Sequence, residues 1–171
     1  MSLEDLGNIG EFVAAAAVIV SLIYLAVQIR QNTKSVRAST YHSVNRAAHE
    51  MQMIVAGSET LSRVMIKAAR EPEALSLDER LRFNMTMRSS FAWYEDIYFQ
   101  YQQSMVGRDY WEARQRSMLD QLREPGISSW WCRNSRLYTN AFVAEVSRLL
   151  QDTEASDHQR AEPERRQTQE A

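Results

Sequence analysis

The feature that most constrains this chain is an uninterrupted apolar run near its N-terminus. Residues 9–29 read IGEFVAAAAVIVSLIYLAVQI and carry one charge, Glu11, close to the outer end. A helix over this run spans about 31 Å at roughly 1.5 Å per residue, which matches a membrane hydrocarbon core of roughly 30 Å. The run therefore predicts a single transmembrane helix over residues 9–29.

Three other interpretations of the run compete with a membrane anchor. A cleaved signal peptide has a basic N-terminal region, whereas this chain begins with Glu4 and Asp5. An organelle-targeting segment is Arg-rich and amphipathic, and this run is neither. A buried helix in the core of a soluble protein is compatible with a run of this length and stays open at this point.

The charges that flank the run predict its orientation. Residues 1–11 carry three acidic side chains and no basic one, whereas residues 30–46 carry four basic side chains and no acidic one. The positive-inside rule then predicts a single-pass protein of the inner membrane, with its N-terminus outside and its C-terminal domain in the cytoplasm. We expect Arg30, Lys34 and Arg37 to lie at the lipid headgroups and anchor the helix.

Small residues in the run share one helix face. They step by four, three and four positions, and such a face lets two membrane helices approach closely. An alanine-rich span produces this spacing by chance as well. The pattern predicts a homo-oligomer only weakly, through Gly10, Ala14, Ala17 and Ser21.

The rest of the chain contains few helix-breaking residues, as expected of an all-helical domain. Gly and Pro are scarce, at five and three residues, which favours helix over a turn-rich β fold. The predicted fold class is all-α, with the membrane helix continuing into a small cytoplasmic helical bundle. The predicted segments are a short tail at 1–8, the membrane helix at 9–29, the bundle at 30–152 and a disordered polar tail at 153–171.

Breakers and caps divide the bundle into helices. Neither Gly nor Pro occurs between Gln28 and Ala56, so we expect the first helix to continue through residue 56. Ser76 and Glu79 form a capping box at the start of a long helix that Gly107 ends. The later predicted helices are 59–70, 77–106, 109–123 with Asp109 as N-cap, and one from Thr139 or Asn140 onward, with a turn at Pro125-Gly126 before it.

The helix at 77–106 carries apolar residues on two sides. The first stripe contains Phe83, Met87, Phe91, Tyr94, Tyr98, Tyr101 and Met105. The second flank contains Leu81, Met85, Ala92 and Ile97. A helix that is apolar on two sides is predicted to be central to its bundle.

Several of these segments resemble one set of proteins. The run SLIYLAVQIRQNTKSVRAST, the stretch WYEDIYFQYQQSMV at 93–106, Trp111 and PGISSWW at 125–131 are similar to signatures of an uncharacterised bacterial family. Its members have one N-terminal transmembrane helix followed by a small helical domain. The resemblance covers roughly residues 9–150 and implies a bacterial, membrane-anchored helical domain without implying any chemistry.

Common motifs of catalysis and cofactor binding are missing. The glycines form neither GxGxxG nor a Walker A loop, and no HExxH or Cys pair matches a zinc site. No Glu stands three residues before His42, His49 or His158, as a di-iron bundle would require. The net charge of −2 gives no field for nucleic acid. We therefore predict no catalytic residue, cofactor, metal or nucleic-acid partner, and we lean towards a non-enzymatic protein.

Acidic and aromatic residues give the strongest candidate surface for a ligand or partner. Glu95 and Asp96 lie within the aromatic stretch 93–99, where a carboxylate can act as an acid or a base. The simpler interpretation is that one of them pairs with Arg114 or Arg133. The complete candidate surface is Trp93, Glu95, Tyr98, Trp130 and Trp131.

Two tryptophans and the single cysteine are adjacent in the sequence, at positions 130–132. On a helix, Trp130 and Trp131 point about 100° apart. One is expected in the core, and the other could anchor a partner, or both could be core. Cys132 beside them is expected to be a buried, inert thiol.

Two functional hypotheses from different classes follow. The leading one is a non-enzymatic interaction or scaffold domain, tethered to the bilayer, that presents an aromatic surface to a cytoplasmic protein. The alternative is a ligand-sensing or enzymatic domain with a pocket around Glu95 and the neighbouring aromatic side chains.

Overall fold

The fold was obtained as a computed structural model that describes the backbone of residues 3–169 and the side chains of residues 10–155. Within these residues the backbone is helical and contains no strand, which confirms the all-α fold class. The α-helices are α1 Leu3–Ala56, α2 Glu59–Arg70, α3 Leu77–Gln102, α4 Arg108–Leu122, α5 Pro125–Asn134 and α6 Asn140–Gln169. Short 3₁₀ turns cover Pro72–Ala74 and Ser135–Leu137.

The chain divides into two compact units, Met1–His42 and Ser43–Ala171. In the first unit, the side chains of residues 10–39 are exposed, and Phe12 keeps 77% of its surface accessible. In the described part of the chain, α1 is the one helix long and apolar enough to cross a membrane. A helix in a soluble core buries its apolar residues, so the exposed run does not fit the buried-core interpretation.

In the second unit, α3 contributes one buried stripe to the core. Its buried residues are Phe83, Met87, Phe91, Tyr94 and Ile97. The predicted second flank is wrong except for Ile97, because Leu81, Met85 and Ala92 are exposed. The physical reason is that a helix covered by neighbours on one side buries one stripe, whatever apolar residues it carries elsewhere.

Aromatic rings pack at the centre of this core. Phe91 is fully buried, and its ring stacks on Trp130 and Trp131 with ring centres 5.6 and 4.7 Å apart. The Trp131 ring meets Phe142 of α6 edge-on at 5.9 Å. These contacts join α3, α5 and α6, so the aromatic stripe predicted on α3 is the centre of the bundle core.

Local hydrogen bonds define both ends of α3. The predicted capping box is confirmed: the Glu79 N–H donates to the Ser76 hydroxyl, and the Ser76 N–H donates to the Glu79 carboxylate. At the other end, Ser104 has a φ of 56°, and the Met105 N–H donates to the Gln100 carbonyl at 2.8 Å. This left-handed helix end stops α3 at Gln102, before the predicted end at residue 106.

The two helices that follow begin differently from the prediction. Gly107, rather than Asp109, is the N-cap of α4. Pro125 and Gly126 do not form a turn but open α5, because proline at the first helical position has a suitable φ and needs no hydrogen-bond partner. A Cβ atom on Gly126 would lie 1.8 Å from the Ala68 carbonyl oxygen. Glycine is therefore required where α5 crosses α2.

The last helix buries the apolar face expected of it. Phe142 and Val146 are fully buried, Leu149 is buried, and Leu150 packs at the edge of the core. The backbone stays helical to Gln169, across most of the predicted disordered tail at 153–171. The side chains of residues 156–171 lie outside the described residues, and the disorder of that tail stays a prediction.

Candidate functional site

A largely apolar hollow of the second unit lies among α2, α3, α4 and the part of α1 that follows Ser43. Its volume is about 520 Å³, within the range of small-molecule sites. We call it the Arg114 hollow, after the charged residue in its lining. Apolar side chains form most of its wall, among them Met51, Val55, Met65 and Met87. Methionine side chains are flexible and polarisable, so such a wall can adapt to ligands of different shape.

Trp93 forms one side of the hollow in a fixed orientation. Its indole Nε1 donates a hydrogen bond to the Val44 carbonyl oxygen at 3.0 Å. Its ring also contacts Tyr94, with ring centres 4.9 Å apart. Because the donor is satisfied within the protein, Trp93 offers the hollow an aromatic face.

Arg114 supplies the positive charge of the hollow. Its guanidinium carbon lies 5.8 Å from the Trp93 ring centre and 5.0 Å from the Tyr110 ring centre, within the range of cation–π contact. Its Nε atom is buried and has no hydrogen-bond acceptor among the described residues. A buried donor without an acceptor costs about 1–3 kcal/mol, so this atom needs an explanation.

A small polar network lies beside the arginine. The Tyr94 hydroxyl is 3.1 Å from the Ser117 hydroxyl and accepts a hydrogen bond from Gln121 Nε2 at 2.9 Å. Burial raises the pKa of Tyr94 above its ordinary value of 10.0. Tyr94 is therefore a neutral hydrogen-bonding group near neutral pH and adds no negative charge to the hollow.

The lining combines one cation, neutral polar groups and apolar walls. Its residues include no Asp, Glu, His or Cys, so the hollow offers a ligand no acid–base pair of the kind used in general catalysis. What the arrangement can do is surround an apolar body and hold an anionic group against the guanidinium.

Glu95 lies away from this hollow. Its carboxylate accepts a hydrogen bond from the Thr139 backbone N–H at 2.6 Å. With Asp96, Tyr98 and Phe99 it lines a separate hollow. The residues of the predicted pocket around Glu95 therefore lie in two hollows. Trp93 lines the Arg114 hollow, whereas Glu95 and Tyr98 line the separate one.

The expected ion pair with Arg114 or Arg133 is wrong. Neither Glu95 nor Asp96 forms an ion pair within the described part of the chain. Arg114 makes cation–π contacts with two aromatic rings, and Arg133 lines a third hollow between α3 and α5. Side chains on α3 point in different directions at each position, so residues 93 and 95 reach different neighbours. The sequence pattern of α3 alone does not reveal which helix lies on each side.

The two adjacent tryptophans also do not form an exposed surface. Trp130 and Trp131 are 1% and 5% exposed, so both are core and neither can anchor a partner without unfolding. The expectation for Cys132 is wrong, because this thiol is exposed. The helical period explains the difference: with residues 130 and 131 facing inward, residue 132 points about 200° from the first and outward.

The membrane-related residues lie on exposed surface. The predicted interface side chains Arg30, Lys34 and Arg37 are exposed, and so is the whole small-residue face that contains Gly10. Within residues 10–155, no three His, Cys, Asp or Glu side chains form a group that could hold a metal. His158 lies outside the described side chains.

From the sequence, Arg114 is predicted only as an ion-pair partner of Glu95 or Asp96, although its spacing on α4 carries a further signal. Trp111, Arg114 and Met118 step by three and four positions, so the arginine lies on the side of α4 whose neighbours are buried. A basic residue that interrupts a buried stripe indicates a candidate site, because a buried donor without an acceptor is costly.

Comparison with protein-family models, with curated proteins and with solved structures finds no match for this chain. The resemblance to an uncharacterised bacterial family stays an expectation that depends on the quoted segments.

Proposed function

We propose that this chain is a membrane-anchored helical domain that binds an amphipathic anion, an apolar molecule with one negative group, in the Arg114 hollow. The observation that carries the proposal is the buried Arg114 Nε without an acceptor, beside a largely apolar hollow of about 520 Å³. A carboxylate or sulfonate oxygen would accept that hydrogen bond and compensate the charge.

The surroundings of Arg114 favour a bound anion over a bulk counterion. The guanidinium carbon of Arg114 lies over the rings of Trp93 and Tyr110, within cation–π distance of both. A ring offers no oxygen acceptor, so these contacts leave the buried Nε–H available for an anion. Apolar walls lower the local dielectric and strengthen such a charge-assisted hydrogen bond.

The same proposal includes a membrane anchor with a cytoplasmic domain. The described apolar side chains of the first unit, from residue 10 onward, are exposed. The hydroxyl of Ser21 donates to the Ala17 carbonyl at 2.9 Å. A polar group satisfied within its own helix is tolerated in lipid. The excess of basic side chains after residue 29 supports an inner-membrane location with the domain in the cytoplasm.

A second candidate function is the non-enzymatic interaction domain. The observation that favours it is an exposed apolar stripe on α3, where Leu77, Leu81 and Met85 are 87%, 57% and 49% exposed at four-residue intervals. A row of this kind could contact a cytoplasmic protein. The ligand hypothesis explains more, because it accounts for the buried donor of Arg114 as well as the hollow.

A pair of fluorescent probes tests the ligand hypothesis. The anionic probe 8-anilinonaphthalene-1-sulfonate and its uncharged analogue N-phenyl-1-naphthylamine share one apolar skeleton. Both are titrated into the full chain in phosphatidylcholine nanodiscs, with empty nanodiscs subtracted. We expect the anionic probe to bind about tenfold more tightly, because a charge-assisted hydrogen bond contributes about 1.5–3 kcal/mol.

Variants of Arg114 identify the site of binding. Arg114→Met should remove the preference for the anionic probe and leave binding of the neutral probe, whereas Arg114→Lys should keep part of the preference. Arg116→Met is the matched control, because Arg116 is exposed on the same helix and outside this hollow. An unchanged preference in Arg114→Met would refute the proposal.

Orientation is tested separately with reporters fused after Leu150. A reporter that is active only in the cytoplasm should be active there, and a periplasmic reporter should be silent. Reversing the charges at Glu4, Asp5, Arg30 and Lys34 should weaken or invert this result, because the difference in flanking charge sets the topology. Periplasmic activity of the unaltered chain would overturn the predicted orientation.

A further inference from the structure

The third hollow of this unit has a mainly polar and charged lining, unlike the Arg114 hollow. It lies between α3 and α5, has a volume of about 460 Å³, and is lined by three arginines, Arg80, Arg133 and Arg136, with Glu73 as its acidic lining residue. We call it the arginine hollow. The lining side chains therefore carry a net charge of +2, on a chain whose formal net charge is −2.

The positive charge of the arginine hollow is not compensated inside the protein. Within the described part of the chain, ion pairs involve other basic residues, and Arg80, Arg133 and Arg136 form none with a carboxylate. Like charges held around one hollow repel each other. An anion with more than one negative charge would relieve that repulsion.

Buried residues form the floor of the hollow and orient a neutral donor. Trp130 and Phe83 are 1% and 3% exposed, which makes one wall apolar. The Trp130 indole Nε1 donates to Asn84 Oδ1 at 2.8 Å. That bond fixes which end of the amide is the acceptor, so Asn84 Nδ2 keeps two N–H donors without an acceptor among the described residues.

We infer that the arginine hollow binds a phosphate group. Guanidinium groups form paired hydrogen bonds with phosphate oxygens, and the net charge of +2 matches a phosphate dianion. Asn84 supplies an additional neutral donor. The inference does not depend on the ligand proposed for the Arg114 hollow, because the two hollows share no lining residue.

Inorganic phosphate is the probe for this site. The full chain in phosphatidylcholine nanodiscs is titrated with phosphate, at an ionic strength held constant with chloride. The indole N–H resonance of Trp130 is followed by NMR, because this group bonds directly to Asn84. A saturable shift is expected, and Arg133→Met and Arg136→Met should each weaken phosphate binding by about tenfold.

A matched control separates the site from general surface charge. Arg82→Met removes an exposed arginine of α3 that pairs with Asp78 at 2.9 Å, and it should leave phosphate affinity unchanged. Absence of a saturable shift would overturn the inference, and so would equal affinity in Arg133→Met, Arg136→Met and the unaltered chain.

The phosphate group could belong to a soluble molecule or to a lipid headgroup. Repeating the titration in nanodiscs that contain phosphatidic acid distinguishes these sources. If the lipid phosphate occupies the site, the apparent affinity for inorganic phosphate is lower in these nanodiscs than in phosphatidylcholine alone. Arg133→Met should then abolish this difference between the two kinds of nanodisc. An unchanged affinity would assign the site to a soluble phosphate.

Discussion

Glu95 of α3 accepts a hydrogen bond from the backbone N–H of Thr139, at the residue before α6, with an N–O distance of 2.6 Å. The Thr139 carbonyl accepts from the Val143 N–H at 3.0 Å, which makes Thr139 the N-cap of α6. In a capping box, the third residue of the same helix would supply this acceptor. That residue is Phe142, which is fully buried in the core. Glu95 therefore supplies from α3 the acceptor that α6 lacks.

Removal of this contact should destabilise the domain. Glu95→Ala should cost about 1 kcal/mol, as the loss of a helix cap does. Glu95→Gln should cost less, because an amide oxygen still accepts the hydrogen bond while the negative charge at the helix N-terminus is lost. Thermal melts of the full chain measure both. Asp96→Ala is the adjacent exposed control, and a Glu95→Ala protein as stable as the unaltered chain would contradict the capping role.

Two of the three phenylalanines of α3, Phe91 and Phe99, should respond very differently to truncation. Phe91→Ala removes a fully buried ring that contacts Trp130 and Trp131 and should cost roughly 3–5 kcal/mol. Phe99→Ala removes a ring that is 58% exposed, so its effect should be much smaller. Chemical denaturation followed by circular dichroism compares them. Similar costs for the two variants would show that Phe91 is not the centre of the core.

Glycines provide a matched test of close packing. Gly126→Ala places a methyl group 1.8 Å from the Ala68 carbonyl oxygen, which forces α5 away from α2. Overpacking of this kind costs about 1–3 kcal/mol, and sometimes more. Gly10→Ala also meets no heavy atom within 4 Å, and Gly10 caps no helix, so this variant serves as the control. If both variants melt at the temperature of the unaltered chain, α2 and α5 do not pack as closely at Gly126 as described.

The Lys67–Glu79 contact should make stability depend on pH in the acid range. The hydrogen bond from Lys67, at 2.8 Å, and then that from the Ser76 N–H lower the pKa of Glu79 from 4.5 to about 2. Because the folded pKa is the lower one, the unfolded chain binds more protons between these values. The contribution of Glu79 is therefore present above pH 4.5 and is lost as pH falls towards 2.

Melting temperatures measured from neutral to acid pH check this expectation. Glu79→Gln cannot lose the charge, so its melting temperature should fall less steeply than that of the unaltered chain in this pH range. Lys67→Met should have an intermediate slope, since the Ser76 contact remains. Parallel curves for all three proteins would contradict the role of Glu79.

Much of the fold could be predicted from local sequence signals. The capping box at Ser76 and the apolar stripe through Phe91 depend on residues close together along the chain, and both are present in the structure. The end of α3 was missed because it depends on a left-handed serine, Ser104, where a glycine would have been the usual signal. The start of α5 at Pro125 was missed because proline fits both a turn and a first helical turn.

The sequence by itself determined the all-α class, the apolar N-terminal helix and the residues available to a core, because periodicity and breakers act over a few positions. Only the tertiary structure decided what each polar side chain meets. It separated Glu95 from Trp93, placed Arg114 over two aromatic rings, and gathered three arginines around one hollow, Arg80, Arg133 and Arg136. The physical reason is that contacts between helices depend on how the helices pack, and residues far apart in the sequence carry no local signal of that packing.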